Sequence, residues 1–338
     1  MYAGTIVSYP STLRGAVLTG MATRRDECAT GAHRHGYGPR RYNRAVSATY
    51  PPTCSGGALL RRPERLYDGY IFDLDGTVYL GDEVLPGARR LIAALRRLGK
   101  RILFLSNNPT KEPQEYAEKL RALGIPAEAA EVINTVYTMV QWLLRHHPDA
   151  TVFPISEAPL QRALRAAGIR ISENPADIDF VIASYDRTFD YRKLQIAFDA
   201  LWYYRRARLI ATNPDRYCPF PGGRGEPDAA AIIAAIEACT GVRCEVTTGK
   251  PDPIMLRTAL QVLALPATEC LMAGDRLATD VRMARAAGMP AAVVLTGETT
   301  VELLRAAPEP DRPAYVLERL DHLLPPALWR ELGWAPDD

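Results

Sequence analysis

From residue 66 onward, short apolar runs alternate with segments whose apolar positions recur at helical spacing. Tyr67–Leu74 is predicted to be a strand, most clearly from Tyr70. Pro86 opens a helical pattern that runs through Leu98 and ends at Gly99, the residue type that most easily leaves a helix. Arg101–Ser106 reads as a second, buried strand, Glu112–Leu123 as a helix stopped by Gly124, and Thr135–His146 as another helix. Near the other end, Glu269–Gly274 and Ala291–Leu295 are apolar runs that fit buried parallel strands, with helical patterns at Pro253–Leu263 and Ala278–Ala287. This strand–helix alternation predicts an open, mostly parallel α/β sheet covered on both faces.

A second α/β region interrupts that order. Thr151–Ile155, Phe180–Ala183 and Arg208–Thr212 read as strands, and Ala158–Ala167, Tyr191–Tyr204 and Asp228–Thr240 as helices. An insertion with its own strands and helices is expected to fold as a domain rather than a loop. The expected division is a discontinuous core, residues 66–146 and 245–330, around an insert at 147–244, with hinges at His146–Ala150 and Glu245–Thr248. Residues 1–65 lack sustained periodicity and are rich in Gly, Pro, Ser, Thr and Arg, so they are expected to form a disordered, dispensable arm. Arginine pairs occur at 24–25, 40–41 and 61–62, but none leads into a hydrophobic stretch, which argues against an export signal. Met21 is an alternative start.

Composition narrows the function classes. Hydrophobic residues make up 47% of the 338, enough for a substantial core, while no apolar stretch approaches the roughly 20 residues that cross a bilayer. Cys28, Cys54, Cys218, Cys239, Cys244 and Cys270 form no zinc or CxxC spacing and read as reduced thiols of a cytoplasmic protein. Residues 1–65 hold ten Arg, no Lys and three acids, a net of +7 in a chain of +2, leaving about −5 for the rest. A folded part that is mildly acidic argues against nucleic acid as a partner.

The candidate chemistry lies at strand ends. Asp73-Leu74-Asp75-Gly76-Thr77 places two carboxylates two apart after Tyr70-Ile71-Phe72, so on an extended chain both can face one way. That arrangement suits one carboxylate attacking an electrophile while the other handles protons. Ser106-Asn107-Asn108 closes the second strand, Gly249-Lys250-Pro251 places a lysine before a helix, and Gly274-Asp275-Arg276-Leu277-Ala278-Thr279-Asp280 ends a later strand. Taken singly, each has a structural reading: a turn for Ser106, a surface charge for Lys250, helix capping for Asp275 and Asp280. Ligands of open α/β sheets bind at the carboxyl edge. Four such clusters on that edge together supply the parts of phosphoryl transfer.

In order, DLDGT, SNN, GKP and GDRLATD resemble the four motifs of the haloacid dehalogenase superfamily of phosphatases. The insertion between the second and third resembles the cap of the NagD-like, p-nitrophenyl-phosphatase branch (subfamily IIA). Val78-Tyr79-Leu80-Gly81, Thr212-Asn213-Pro214-Asp215 and Val294-Leu295-Thr296-Gly297 fit the branch too. The likeness covers residues 67–320.

It implies an α/β fold with a Rossmann-like, doubly wound core sheet and a large inserted α/β cap domain. It further implies an enzyme that hydrolyses small phosphomonoesters, such as a sugar phosphate or nucleotide, with Mg²⁺ (magnesium) as cofactor. In the implied mechanism Asp73 is the nucleophile and forms an aspartyl-phosphate, and Asp75 is the acid and base. The metal would be held by the Asp73 carboxylate, the Asp75 backbone carbonyl and Asp275, with Asp280 orienting or supplementing that set. Lys250 and Ser106, with Asn107 nearby, would hold the phosphoryl oxygens. Tyr185-Asp186-Arg187 and Asn213–Arg216, above all Tyr185, Asp186, Asn213 and Asp215, are the segments expected to face the site from the insert and to select the substrate. Pro221-Gly222-Gly223-Arg224-Gly225-Glu226 departs from the branch in being longer and more charged than its usual glycine turn.

Two alternatives use the same parts: a phosphotransferase passing the phosphoryl group to another acceptor, and a phosphometabolite-binding protein without turnover. Asp75 and Lys250 match the phosphatase pattern and argue against a dehalogenase. The partner expected is a small phosphorylated metabolite, with neither nucleic acid nor membrane. The sequence does not fix an oligomeric state, and a homodimer stays among the alternatives.

Overall fold

The computed structural model describes residues 59–220 and 224–335. The chain first lays down β1 (Gly69–Asp73), the hairpin β2 (Tyr79–Leu80) and β3 (Glu83–Val84), α1 (Ala88–Arg97), β4 (Arg101–Ser106), α2 (Pro113–Ala122), β5 (Val132–Asn134) and α3 (Thr135–His146). A second layer follows: β6 (Thr151–Ile155), α4 (Ala158–Ala166), β7 (Arg170–Ile171), β8 (Phe180–Ala183), α5 (Tyr191–Phe198), β9 (Arg208–Ala211), the hairpin β10 (Tyr217–Phe220) and β11 (Arg224–Pro227), α6 (Ala229–Thr240) and β12 (Val246–Thr247). The chain then returns through α7 (Pro253–Leu263), β13 (Cys270–Gly274), α8 (Arg282–Ala286), β14 (Ala291–Val294), α9 (Val301–Ala306), β15 (Tyr315–Leu317) and α10 (Pro326–Glu331).

Two parallel sheets result. The first has the order β15-β14-β13-β1-β4-β5 and the second β12-β9-β8-β6-β7. In the first, β1 is flanked by β4, which follows it, and by β13, which arrives some two hundred residues later. The strand order therefore reverses between β1 and β13, and a crevice opens there at the carboxyl edge.

Burial explains why β1 is central. All five of its residues are buried, and their side chains alternate between two cores. Tyr70 and Phe72 pack with Leu91, Leu95, Tyr116 and Leu120 of α1 and α2, whereas Ile71 packs with Met255, Leu256 and Leu263 of α7 on the other face. A strand buried on both sides must be apolar throughout, which is why Tyr70-Ile71-Phe72 is a run rather than an alternation. The second sheet repeats the plan. Val152, Phe180 and Ile182 face α3 and α4, and Phe153, Val181 and Leu209 face α5 and α6.

Several boundaries moved. β5, β7, β12 and β15 are two or three residues long, too short to carry a periodicity, and sheet pairing alone forms them. α3 packs Val136, Met139 and Leu143 against the second sheet, and β12 pairs with β9. The second layer thus draws in residues on both sides of 147–244. Residues 59–65, assigned to the arm from sequence, lie on the core instead. Arg61 bridges Val316, Arg62 Nη2 meets His322 Nε2 at 2.7 Å, and the Arg65 guanidinium lies 4.1 Å from the Tyr67 ring centroid. The rest of the expected arm, residues 1–58, is outside the described residues, as are 221–223 of the long charged turn. Among the described residues no helix is long and apolar enough to cross a membrane.

Candidate active site

Each reactive cluster leaves the first sheet, or the loop beside it, at the crevice. Asp73 is the last residue of β1 and is buried. After it Leu74 O accepts from the backbone N–H groups of Thr77, Val78 and Tyr79, folding the chain into a tight turn. Thr77 Oγ1 donates to Asp73 Oδ2 at 3.2 Å. Gly76 makes the turn possible in two ways. Its φ is +90°, and a Cβ there would stand 2.5 Å from Asp275 Oδ2. Gly297 leaves the same room from the opposite side, where a Cβ would lie 2.0 Å from that oxygen.

Asp275 follows β13 and is buried. Its Oδ2 accepts from Glu298 N at 2.7 Å, while its Oδ1 is buried without a hydrogen-bond partner. Asp280 lies on a widened helical turn, Leu277–Val281, that precedes α8. The sequence predicts an ordinary helix over 278–287. The wide turn instead lets the Asp280 carboxylate fold back, so that Oδ2 accepts from Arg276 N at 3.2 Å and Oδ1 from Lys250 Nζ at 2.7 Å. Lys250 Nζ, itself buried, also bonds Asp73 Oδ1.

Ligand oxygens of Asp73, Asp275 and Asp280 come within 4.8 Å of one another. Crowding governs their proton affinities. Burial first, and the charges of Asp73 and Asp280 next, push the Asp275 carboxyl well above the usual range. Asp280 is pushed up by burial and by Asp73 although Lys250 pulls it down. Lys250 is raised, because Asp280 and Asp73 outweigh the desolvation that opposes its charge. Asp75 keeps solvent access along one side, yet protein crowds it elsewhere, and desolvation, then the Asp73 charge, lifts it to about 6. Solvent screening moderates that rise, and its direction follows from the crowding.

The donor set suits a hard divalent cation. It consists of buried carboxylate oxygens, one of them with no partner, in a cluster whose negative charge Lys250 offsets only in part. Asp73 and Asp275 would hold such an ion. Asp280, whose oxygens meet Lys250 Nζ and Arg276 N, stands within reach of the same position and would orient or supplement that set.

Ser106 ends β4 and is buried, its Oγ accepting from Asn108 N at 3.2 Å. Asn107 braces the lysine loop: Oδ1 accepts from Lys250 N at 2.8 Å and Nδ2 donates to Lys250 O at 3.0 Å. Asn107 Nδ2 also reaches Asp215 Oδ2, on the second layer, at 2.7 Å. Asp215 is held in turn by Asn213 Nδ2 at 2.9 Å and lies 3.5 Å from the Arg276 guanidinium.

Of the expected insert residues, then, Asp215 meets the core directly and Asn213 supports it. Tyr185 and Asp186 do not join the acidic cluster. The Tyr185 hydroxyl bonds Glu226 of β11, and the Asp186 oxygens are taken by Lys193 Nζ at 2.7 Å and Thr188 Oγ1 at 2.6 Å. Sequence reasoning missed Arg276, which ties Glu298 at 2.9 Å as well as Asp215. It also missed Cys218, whose Sγ lies 3.7 Å from Asn108 Nδ2. Arg276 sits inside GDRLATD and was visible as a charge between two acids. Cys218 had no signal, because only the β10–β11 hairpin carries it there.

Carboxylates, a lysine and a serine gathered at the reversal point of a parallel sheet mark a ligand site of the α/β class, with groups suited to phosphoryl transfer. A family model for haloacid dehalogenase-like hydrolases matches residues 70–170, and a second HAD-hydrolase-like model matches 247–323. The sugar-phosphatase AraL of Bacillus subtilis is 36% identical over 229 residues, 68% of this chain and 83% of that protein. An acid sugar phosphatase of Staphylococcus saprophyticus is 34% identical over 76% of this chain and 97% of its own length. Among solved structures, the 4-nitrophenylphosphatase of Thermotoga maritima superposes with a TM-score of 0.71 at 34% identity, covering 76% of this chain and 96% of that one. NagD of Escherichia coli does so with 0.69 at 25% identity, covering 76% and 98%. The chain belongs to the haloacid dehalogenase-like hydrolases, in their NagD-like branch.

Proposed function

We propose that this chain hydrolyses small phosphomonoesters, of a sugar or a comparable metabolite, in the cytoplasm. The observation that carries the reading is the buried meeting of Asp73, Asp275 and Lys250 beside Ser106, with Asp275 Oδ1 left unpartnered. The names of the sugar and nitrophenyl phosphatases similar to this chain support it.

In this reading Asp73 attacks phosphorus and becomes an aspartyl-phosphate, while the phosphorus–oxygen bond to the alcohol breaks. Asp75, raised by crowding, gives its proton to the departing oxygen and then takes one from the water that cleaves the intermediate. Thr77 orients the Asp73 carboxylate. Lys250 and Ser106 hold phosphoryl oxygens, and Asn107 fixes the Lys250 loop so that this charge is already in place. Asp73, the Asp75 carbonyl and Asp275 would hold Mg²⁺, which offsets the repulsion between carboxylate and phosphate. The second α/β layer acts as a cap that selects the ester, with Asp215 as its contact on the Lys250 loop through Asn107.

The test is Asp73→Asn with p-nitrophenyl phosphate and Mg²⁺. Loss of at least about a thousandfold in kcat, with unchanged thermal unfolding, is expected for a missing nucleophile. A variant that keeps most of its activity would remove Asp73 from that role. Chelation should abolish turnover and added Mg²⁺ restore it; full activity in chelator would overturn the metal assignment.

A further inference from the structure

The proposed reaction places the ester's alcohol beside Asp75, so core groups around Asp75 act on that alcohol alongside the second layer. Three lysines act on Asp75: Lys119, Lys250 and Lys111. Lys250 is committed to Asp73 and Asp280. The other two are not committed. Lys111 and Lys119 are half-buried, and among the described residues neither ammonium takes part in a hydrogen bond or an ion pair. Lys119 Nζ instead lies 3.8 Å from the centroid of the Tyr79 ring, and Tyr79 shares a backbone bridge with Asp75.

The carboxylates of the same helix are occupied elsewhere. Glu115 accepts from Glu112 N at 2.8 Å and Glu118 from Gln114 Nε2 at 2.8 Å. Glu112 reaches across to Arg162 of the second layer at 2.7 Å. Asp82, exposed on the β2–β3 turn, attracts Lys119 without pairing with it. With no protein acceptor among the described residues, both ammonium groups are free to meet an anion that binds on the Asp75 side.

We propose that Lys111 and Lys119 recognise a second anionic group, a carboxylate or a further phosphate, on the alcohol side of the substrate. The preferred esters are then those of anionic alcohols. The proposal rests on the phosphatase reading and on Asp75 facing the leaving group.

The experiment compares matched esters: 3-phosphoglycerate with glycerol 3-phosphate, and fructose 1,6-bisphosphate with fructose 6-phosphate. The first pair reports a carboxylate, the second a phosphate. The wild-type enzyme should favour the more anionic member of at least one pair by about tenfold or more in kcat/KM. Lys111→Met and Lys119→Met, singly and together, should erase that preference through KM, leave the less anionic member within about twofold, and keep the unfolding temperature. Lys119→Arg should restore part of it. Equal losses on both members would show that the lysines serve the phosphoryl group or the fold, and would overturn the proposal. So would a wild-type enzyme without preference that still hydrolyses every ester, which leaves the phosphatase reading intact. A wild-type enzyme that hydrolyses none of them would sink both.

Discussion

At the scale of single residues, the acidic site is set by how closely atoms without side chains approach it. Asp275 lies between Gly76 and Gly297, and any Cβ at either would overlap its carboxylate. Gly297→Ala therefore has to displace the Asp275 carboxylate. We expect apparent Mg²⁺ affinity and kcat/KM to fall by about 10–100-fold, the usual consequence of disturbing a ligand's support. A magnesium titration of activity, with thermal unfolding as control, checks this, and an unchanged titration would count against Asp275 as a ligand. Asp215→Ala tests the contact from the second layer. Asn107 would lose one acceptor but keep its two bonds to the Lys250 backbone. KM should thus rise by about tenfold while kcat changes little. An equal fall in kcat would place Asp215 in the chemistry itself.

At the scale of elements, the turns that deliver these residues are held by side chains that never touch the crevice. Asn134 ends β5, accepts from Tyr137 N at 3.0 Å as the cap of α3, and donates to Lys111 O at 2.7 Å. It is fully buried. Asn134→Ala removes the cap and leaves the Lys111 carbonyl unpaired, and should cost about 1–3 kcal/mol in chemical denaturation. A loss under half a unit would mean water takes over both bonds. The helices and longer strands were legible in the sequence because burial imposes a period on them. Thr135–His146 was expected and found with the same bounds. The wide turn at Leu277–Val281 was not, since its residues suit an ordinary helix and only the bonds of Asp280 to Lys250 and Arg276 require otherwise.

At the scale of the whole molecule, residues 59–65 fasten the two ends of the described chain together. Arg62 can only donate, so His322 Nε2 must accept, which requires a neutral ring. Burial, then the charge of Arg62, depresses His322 to about 4. Between that value and the unfolded value near 6.5, the unfolded chain binds a proton that the folded chain refuses. Stability from this group is therefore full above about 6.5 and falls as the pH drops through the window, by up to about 3 kcal/mol. His322→Gln should flatten the metal-free stability profile between pH 4 and 6.5 relative to wild type; identical slopes would dismiss the effect. A chain starting at residue 66 should be less stable than one starting at 59 by about 1–3 kcal/mol, because it lacks the bonds that Arg61, Arg62 and Arg65 make to Pro313, His322 and Thr268. Equal stabilities would return 59–65 to the dispensable arm.

The sequence by itself determined the alternating α/β order and the insertion, and it singled out Asp73, Asp75, Ser106, Lys250 and Asp275 as the residues on which the proposed chemistry rests. These are local properties: a buried strand needs an apolar run, and the polar side chains singled out lie at its last residue or just beyond it. Tertiary structure alone decided which insert residue touches the core, because Tyr185, Asp186 and Asp215 are alike polar loop residues in the sequence. Asp186 spends its oxygens on Lys193 and Thr188, whereas Asp215 is carried across to Asn107. It also decided that Lys119 lies over the ring of Tyr79, the residue that bridges Asp75, while the carboxylates of its own helix pair elsewhere. Charge along a chain does not say which carboxylates of a helix are already taken, and only the packed molecule does.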